Sequence, residues 1–416
     1  MKYIFVETQV AGQDQVAAML QGPVARGEMA GAVTLVWRDG RVVQSASVGW
    51  RDREAGAPLT RDCLFRIASM TKPVTSVAAL MLMEEGRFAL DDPIASVAPE
   101  FAAPRVLRAL DGPLDDTMPA DRPITFEDLL THRSGLTYGA FHPGPLADAY
   151  AAALGADLDS AVPPEAWIAG LAALPLIDQP GAGFHYGAST DLLGFLIARM
   201  ESAPLGEVLA RRIFRPLGMN DTGFVVPAEK RQRRAGLYGF DGEGRLIPLV
   251  TAPGGATVAE RPADMAYVSG GAGLWSTVDD YLAFARLFLG EGAVDGVRLL
   301  KPQTLALMTT NRLTDDQRAR AVLLGMPTFA GGNGFGLGVA VVTDPATAAV
   351  MRGKGGVGTV SWPGAYGGWW QADPTDGSVM ILLQHNMMEL EGIMKGYGLA
   401  GYGAIQAFHA LASATT

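Results

Sequence analysis

The sequence predicts an α/β (α+β) protein. A central antiparallel sheet is built from N- and C-terminal segments, flanked by helices, with an inserted, mostly helical domain. Three observations carry this. β-rich runs lie near both ends of the chain, and helical patterns separated by Gly/Pro-rich loops fill the middle. With 416 residues, 49% of them hydrophobic, there is material for a large core and two or three domains at most. The expected division is a sheet domain from 1–87 and 266–416 and a helical domain from 88–265, with a site in the cleft between them.

Residues 13–27 pattern as an opening amphipathic helix. AVTLVWRDGRVVQSASVGW (32–50) holds two β-rich runs around Asp39-Gly40, a strong hairpin signal. Helices follow at 73–85, ended by Gly86, and at 125–131, where Thr125 is the N-cap and Asp128 lies three residues on. Further helical patterns cover 163–173, 189–202 and 204–215. Strand patterns return in FGLGVAVV (335–342), around Trp369, and in SVMILLQH (378–385), which reads as a buried central strand. A final helix covers 397–412.

The totals exclude several functions. A formal net charge of −10 opposes nucleic-acid or anionic-membrane binding, and RQRR at 231–234 is too short to reverse that. Cys63 is the single cysteine, so no intramolecular disulfide or multi-cysteine zinc site can form, and it reads as a buried hydrophobe. The five histidines show no HExxH spacing, and no metal is expected. The opening MKYIFVETQV has only a four-residue apolar run, so no signal peptide is read. With no 18-residue apolar stretch, a cytoplasmic protein is expected.

RIASMTKPVTSVAALMLMEEG, from Arg66, contains the one Ser-x-x-Lys of the chain. Pro73 fits the first turn of a helix because it has no N–H to donate. Ser69 then sits at or just before the helix start, with Lys72 in the first turn. Residues three apart share a helix face, so the amine can approach the hydroxyl. The positive helix end and the apolar neighbours Ile67, Ala68, Met70 and Val74 favour an uncharged amine able to take the Ser proton. No Gly-x-Ser-x-Gly occurs, so the α/β-hydrolase nucleophile elbow is absent.

The surroundings add a resemblance. FRIASMTKPVTSVAAL, LDDPIASVAPEF (90–101), ITFEDLLTHRSGL (124–136), QPGAGFHYGASTDLLGFLIARM (179–200), SGGAGLWSTVDDYLAFARLFL (269–289), GFGLGVAV (334–341) and SWPGAYGGWWQADP (361–374) follow in order. Together they resemble the serine β-lactamase-like family, which includes class C β-lactamases, DD-peptidases and family VIII carboxylesterases. The resemblance covers most of residues 15–410. It implies Ser69 as nucleophile, Lys72 as base or proton relay and Tyr186 as the catalytic tyrosine. Trp362-Pro363-Gly364 stands where lactamases carry Lys-Thr-Gly. The backbone amides of Ser69 and Ala365 are then the expected oxyanion hole.

Two departures bear on the substrate. Ala188 stands where the lactamase pattern has Asn, and Trp362 replaces the Lys that pairs with a β-lactam carboxylate. The site thus lacks two polar anchors and should prefer an uncharged acyl ester. Trp at this motif resembles the family VIII esterases. Tyr138, Phe141 and Trp369 are candidate pocket residues. His132 is expected to be structural, in a loop fixed by side-chain to backbone hydrogen bonds, and Asp191 to be a helix N-terminal charge.

The expected activity is a serine carboxylesterase cleaving short-chain esters through an acyl-enzyme on Ser69, with a small-molecule ester as partner and no cofactor. The residues leave open β-lactam or peptide hydrolysis and acyl transfer to an alcohol or amine. A scaffold without chemistry has no reason to keep both Ser69 and Lys72. Oligomeric state is not legible.

Overall fold

A computed structural model describes residues 11–155, 160–249, 268–323, 325–329, 331–387, 392 and 395–414. The reading of the opening MKYIFVETQV falls outside them. Among the described residues, both ends of the chain contribute to one eight-stranded sheet. Its spatial order is 333–335, 340–342, 360–361, 369–373, 378–384, 31–38, 41–52 and 57–58. Every pairing is antiparallel.

The strand Ser378–Gln384 is central and wholly buried, as its continuous apolar run predicts. It aligns Leu383 with Val33 and Ile381 with Leu35. The hairpin from Gly31–Arg38 to Arg41–Asp52 turns at Asp39 and Gly40, whose φ values of 53° and 77° suit the tight two-residue turn. The run 335–342 is not one strand. It splits into Asn333–Phe335 and Ala340–Val342, with the Gly336 amide bonding the Val339 carbonyl across the turn. Its apolar pattern continues through a buried turn, which periodicity cannot separate from a strand.

The helix Thr71–Glu84 is buried on nearly all sides, which explains its apolar composition. Pro73 lies in its first turn. Thr125 caps Phe126–Leu130 in a capping box with Asp128. Pro164–Ala173 and Ser189–Glu201 match the expected helices. The 204–215 pattern becomes Leu205–Leu209, a π turn over Ala210–Phe214, then Arg215–Leu217. The outer helices are Ala11–Ala25 and Leu399–Ala414.

The sheet has a core on each face. The larger holds the helix Thr71–Glu84 together with Trp362 and Trp370. The smaller joins Val16, Leu20, Trp369, Ile405 and Phe408 under the outer helices. Trp369 therefore does not line a pocket beside Ser69. It is fully buried on the opposite face, and its indole donates to the Val350 carbonyl at 3.0 Å. Adjacent residues of a strand point to opposite faces, and Trp370 takes the face the site needs. Among the described residues, no helix is long and apolar enough to cross a membrane.

Candidate active site

The chain enters the site through Phe65–Arg66, makes a short turn over Ala68–Met70 and runs into the helix Thr71–Glu84. Ala68 has φ of 46°, a left-handed conformation that strains a residue with a Cβ. Neighbours hold the turn in place. The Ile67 amide bonds the Leu274 carbonyl at 3.0 Å, and Leu274 donates in return to the Thr71 hydroxyl at 3.1 Å. His385 accepts the Arg66 amide on Nε2 at 2.6 Å and donates from Nδ1 to the Ala235 carbonyl at 2.9 Å. Burial pushes this imidazole down to about 4, so it is neutral at ordinary pH.

Lys72 is fully buried. Its Nζ lies 3.5 Å from Ser69 Oγ, 3.3 Å from Tyr138 Oη and 2.9 Å from the Gly271 carbonyl. The Ser69 contact is at the long end of hydrogen bonding. The same amine sits 4.5 Å over the Tyr186 ring and 5.4 Å over the Tyr138 ring.

Tyr186 meets Lys72 with its ring face, while its hydroxyl accepts the Trp362 indole N–H at 3.1 Å. An indole nitrogen can only donate, so the phenol proton is free to point elsewhere. Trp362 is buried against Phe335 and Tyr186, with the Arg352 guanidinium 4.6 Å over its ring. Where the resemblance puts a cation, this chain has one neutral donor already engaged by the tyrosine.

Gly364 brings the third motif against the Ser69 turn. A Cβ at Gly364 would stand 2.5 Å from the Ile67 carbonyl oxygen, so a side chain there would force the two segments apart. Pro363 is half-buried and Ala365 exposed. Among the described residues, neither the Ser69 nor the Ala365 amide donates to another group. Unspent backbone N–H groups are the kind of donor that a tetrahedral oxyanion needs.

Phe141 packs edge-on to Tyr138 and stacks on Tyr186, so both pocket candidates of that loop adjoin the site. His132 is fully buried among Phe184, Tyr186 and Phe335. Burial, then the nearby Lys72 charge, holds its imidazole well below the usual range. Its ring packs rather than bonds. The side-chain bonds that fix this turn come from Ser134, to the Leu136 amide and Ser189. Cys63 is buried and accepts the Thr60 amide.

Asp191 is the residue sequence reasoning undervalued. It does lie in the first turn of Ser189–Glu201. It is also fully buried and bonded to Tyr138, Ser269 and Gly271. The available signal was a charge placed five residues after Tyr186, on a helix whose following residues are apolar. Among the described residues, no group of three His, Cys, Asp or Glu side chains is arranged to hold a metal.

Residues 16–392 match the β-lactamase family. Protein Rv1367c of Mycobacterium tuberculosis is 48% identical over 360 residues, 86% of each chain. Esterase EstB of Burkholderia gladioli is 34% identical over 377 residues, 87% of each chain. Among solved structures, EstCE1, described as a hydrolase with promiscuous acyltransferase activity, superposes with a TM-score of 0.75. It is 27% identical, over 95% of this chain and 98% of its own.

Proposed function

The chain belongs to the β-lactamase family, and from that premise we propose that it is a serine carboxylesterase acting on short-chain, uncharged esters. On this reading the site lies in the cleft between the sheet domain and the inserted, mostly helical domain. The observation that carries the reading is the Trp362 indole bonded to the Tyr186 hydroxyl at 3.1 Å. It fills with an aromatic ring the place where a carboxylate-binding cation would stand. Tyr138, Phe141 and Tyr186 continue that aromatic wall, which suits an apolar acyl or alcohol group.

In the first step Ser69 Oγ bonds to the ester carbonyl carbon while its proton passes to Lys72. The Ser69 and Ala365 amides hold the resulting oxyanion. The carbon–oxygen bond to the alcohol then breaks, and the departing oxygen takes up the proton by way of the Tyr186 hydroxyl. Water attacks the acyl-enzyme along the same proton path, releasing the acid and restoring Ser69. The mechanism requires no metal or organic cofactor. An alcohol in place of water completes an acyl transfer instead, and the likeness to EstCE1 supports that second reading.

Initial rates on p-nitrophenyl butyrate test the proposal, with a chromogenic cephalosporin alongside. The wild type should turn over the ester far faster than the cephalosporin. Ser69→Ala should lose at least about a thousandfold in rate while staying folded. A fast cephalosporin reaction with an inert ester would reject the inference from Trp362 and Ala188. Added butanol yielding butyl butyrate would reveal the transfer activity.

A further inference from the structure

We propose that Asp191 is a positioning residue for the Ser69–Lys72 pair, acting through Tyr138. The proposal rests on the reading of Ser69 as nucleophile and deepens it. The buried Asp191 side chain receives the Tyr138 hydroxyl at 2.8 Å, the Gly271 amide at 3.0 Å and the Ser269 hydroxyl. Three donors converging on one carboxyl give it the acceptor-only role of a carboxylate. That role fixes the direction of the Tyr138 hydroxyl. Its single proton goes to Asp191, so toward Lys72 the phenol oxygen can only accept, across 3.3 Å.

Lys72 then has two fixed acceptors, Tyr138 Oη and the Gly271 carbonyl at 2.9 Å. An uncharged amine has two N–H bonds and one lone pair. With both N–H bonds placed, the lone pair falls to Ser69 Oγ, 3.5 Å away. Once the Ser69 proton has moved, the carboxylate behind the phenol stabilises the new ammonium. This is the arrangement of a base oriented by a third group. The groups facing Lys72 are Ser69 on its own segment, Tyr138, Tyr186 and His132 on adjoining loops, and Asp191 behind Tyr138.

Gly271 belongs to the same device, since its carbonyl serves Lys72 and its amide serves Asp191. A Cβ on it would stand 2.5 Å from Asp191 Oδ2 and 2.9 Å from Tyr138 Oη. No side chain fits there without parting the carboxylate from the phenol.

The test is the rate at which a fluorophosphonate labels Ser69 across pH, in the wild type, Asp191→Asn, Tyr138→Phe and the double variant. Asp191→Asn should lower the alkaline plateau about tenfold or more. It should also move the rise to lower pH, because the anion that favours the ammonium is gone. Tyr138→Phe keeps that anion, so it should lower the plateau with little change in the rise, and the double variant should be no slower than the slower single one. A wild-type plateau in either variant overturns the proposal, as does additivity in the double. If Asp191→Asn does not fold, the plateau of Tyr138→Phe alone decides. Labelling of the wild type with unaltered variants rejects only this proposal, whereas an unlabelled wild-type Ser69 rejects the functional reading and the proposal together.

Discussion

On the face of the sheet that carries Ser69, the core encloses Lys72, Asp191, Thr71, Thr75 and Ser269 as fully or almost fully buried side chains. On the other face, Val16, Leu20, Trp369, Ile405 and Phe408 close the core with apolar groups. Burying polar and charged groups is costly unless each is bonded. The first face meets that cost with directed contacts, such as Thr75 to the Gly270 carbonyl at 2.7 Å. The second face gains stability mostly from apolar area, and its buried polar groups only tie the outer segments down, as Gln384 does to the Gly401 carbonyl and Trp369 to the Val350 carbonyl, each at 3.0 Å. One sheet thus separates a chemical side from a stabilising side, and Trp370 and Trp369, adjacent in one strand, belong to different sides.

The largest expected effect tests the stabilising side. Phe408→Ala should cost about 3–5 kcal/mol of folding free energy, by lost transfer and the cavity left. The kcat of the protein that remains folded should not change. Chemical denaturation and kcat on the same samples check this, and a fall in kcat as large as the fall in stability would break the division.

Gly364→Ala tests the chemical side. The added methyl meets the Ile67 carbonyl and displaces the third motif from the Ser69 turn. We expect about a hundredfold or greater loss in kcat on p-nitrophenyl butyrate, the scale of losing one oxyanion donor. The midpoint of denaturation should shift much less than for Phe408→Ala.

A smaller, pH-dependent effect sharpens the comparison. The folded His385 imidazole takes a proton near 4 and the unfolded one near 6.5. Between those values the unfolded state binds more protons, so stability falls as pH falls. The contribution is complete above 6.5 and reaches a loss of about 3 kcal/mol once the pH is below 4. Denaturation at a series of pH values should show this slope, and His385→Gln should flatten it. Protonation would also oppose the Arg66 amide, so activity should weaken in the same window.

The sequence made some of this legible and hid the rest for identifiable reasons. Ser69, Lys72 and Pro73 are close in the chain, and a single helix start relates them, so their spacing carried their geometry. The strand Ser378–Gln384 was legible because an uninterrupted apolar run of that length has few other homes. Trp369 was misplaced because its neighbour Trp370 is equally apolar, and only the sheet register decides which ring faces which side. The run 335–342 concealed a turn behind the same apolar uniformity. Asp191 escaped because its partners Tyr138, Ser269 and Gly271 are 53, 78 and 80 residues away, beyond any local pattern.

Ester cleavage through Ser69 requires that this residue carry the acyl group. Acid-quenching the enzyme within milliseconds of adding p-nitrophenyl butyrate and mapping it by peptide mass spectrometry detects that group. One butyryl group is expected on the peptide that contains Ser69, none in Ser69→Ala, with a burst of nitrophenol matching the amount of label. Rapid ester cleavage with no acyl adduct on that peptide, or an adduct that persists elsewhere in Ser69→Ala, would contradict that role.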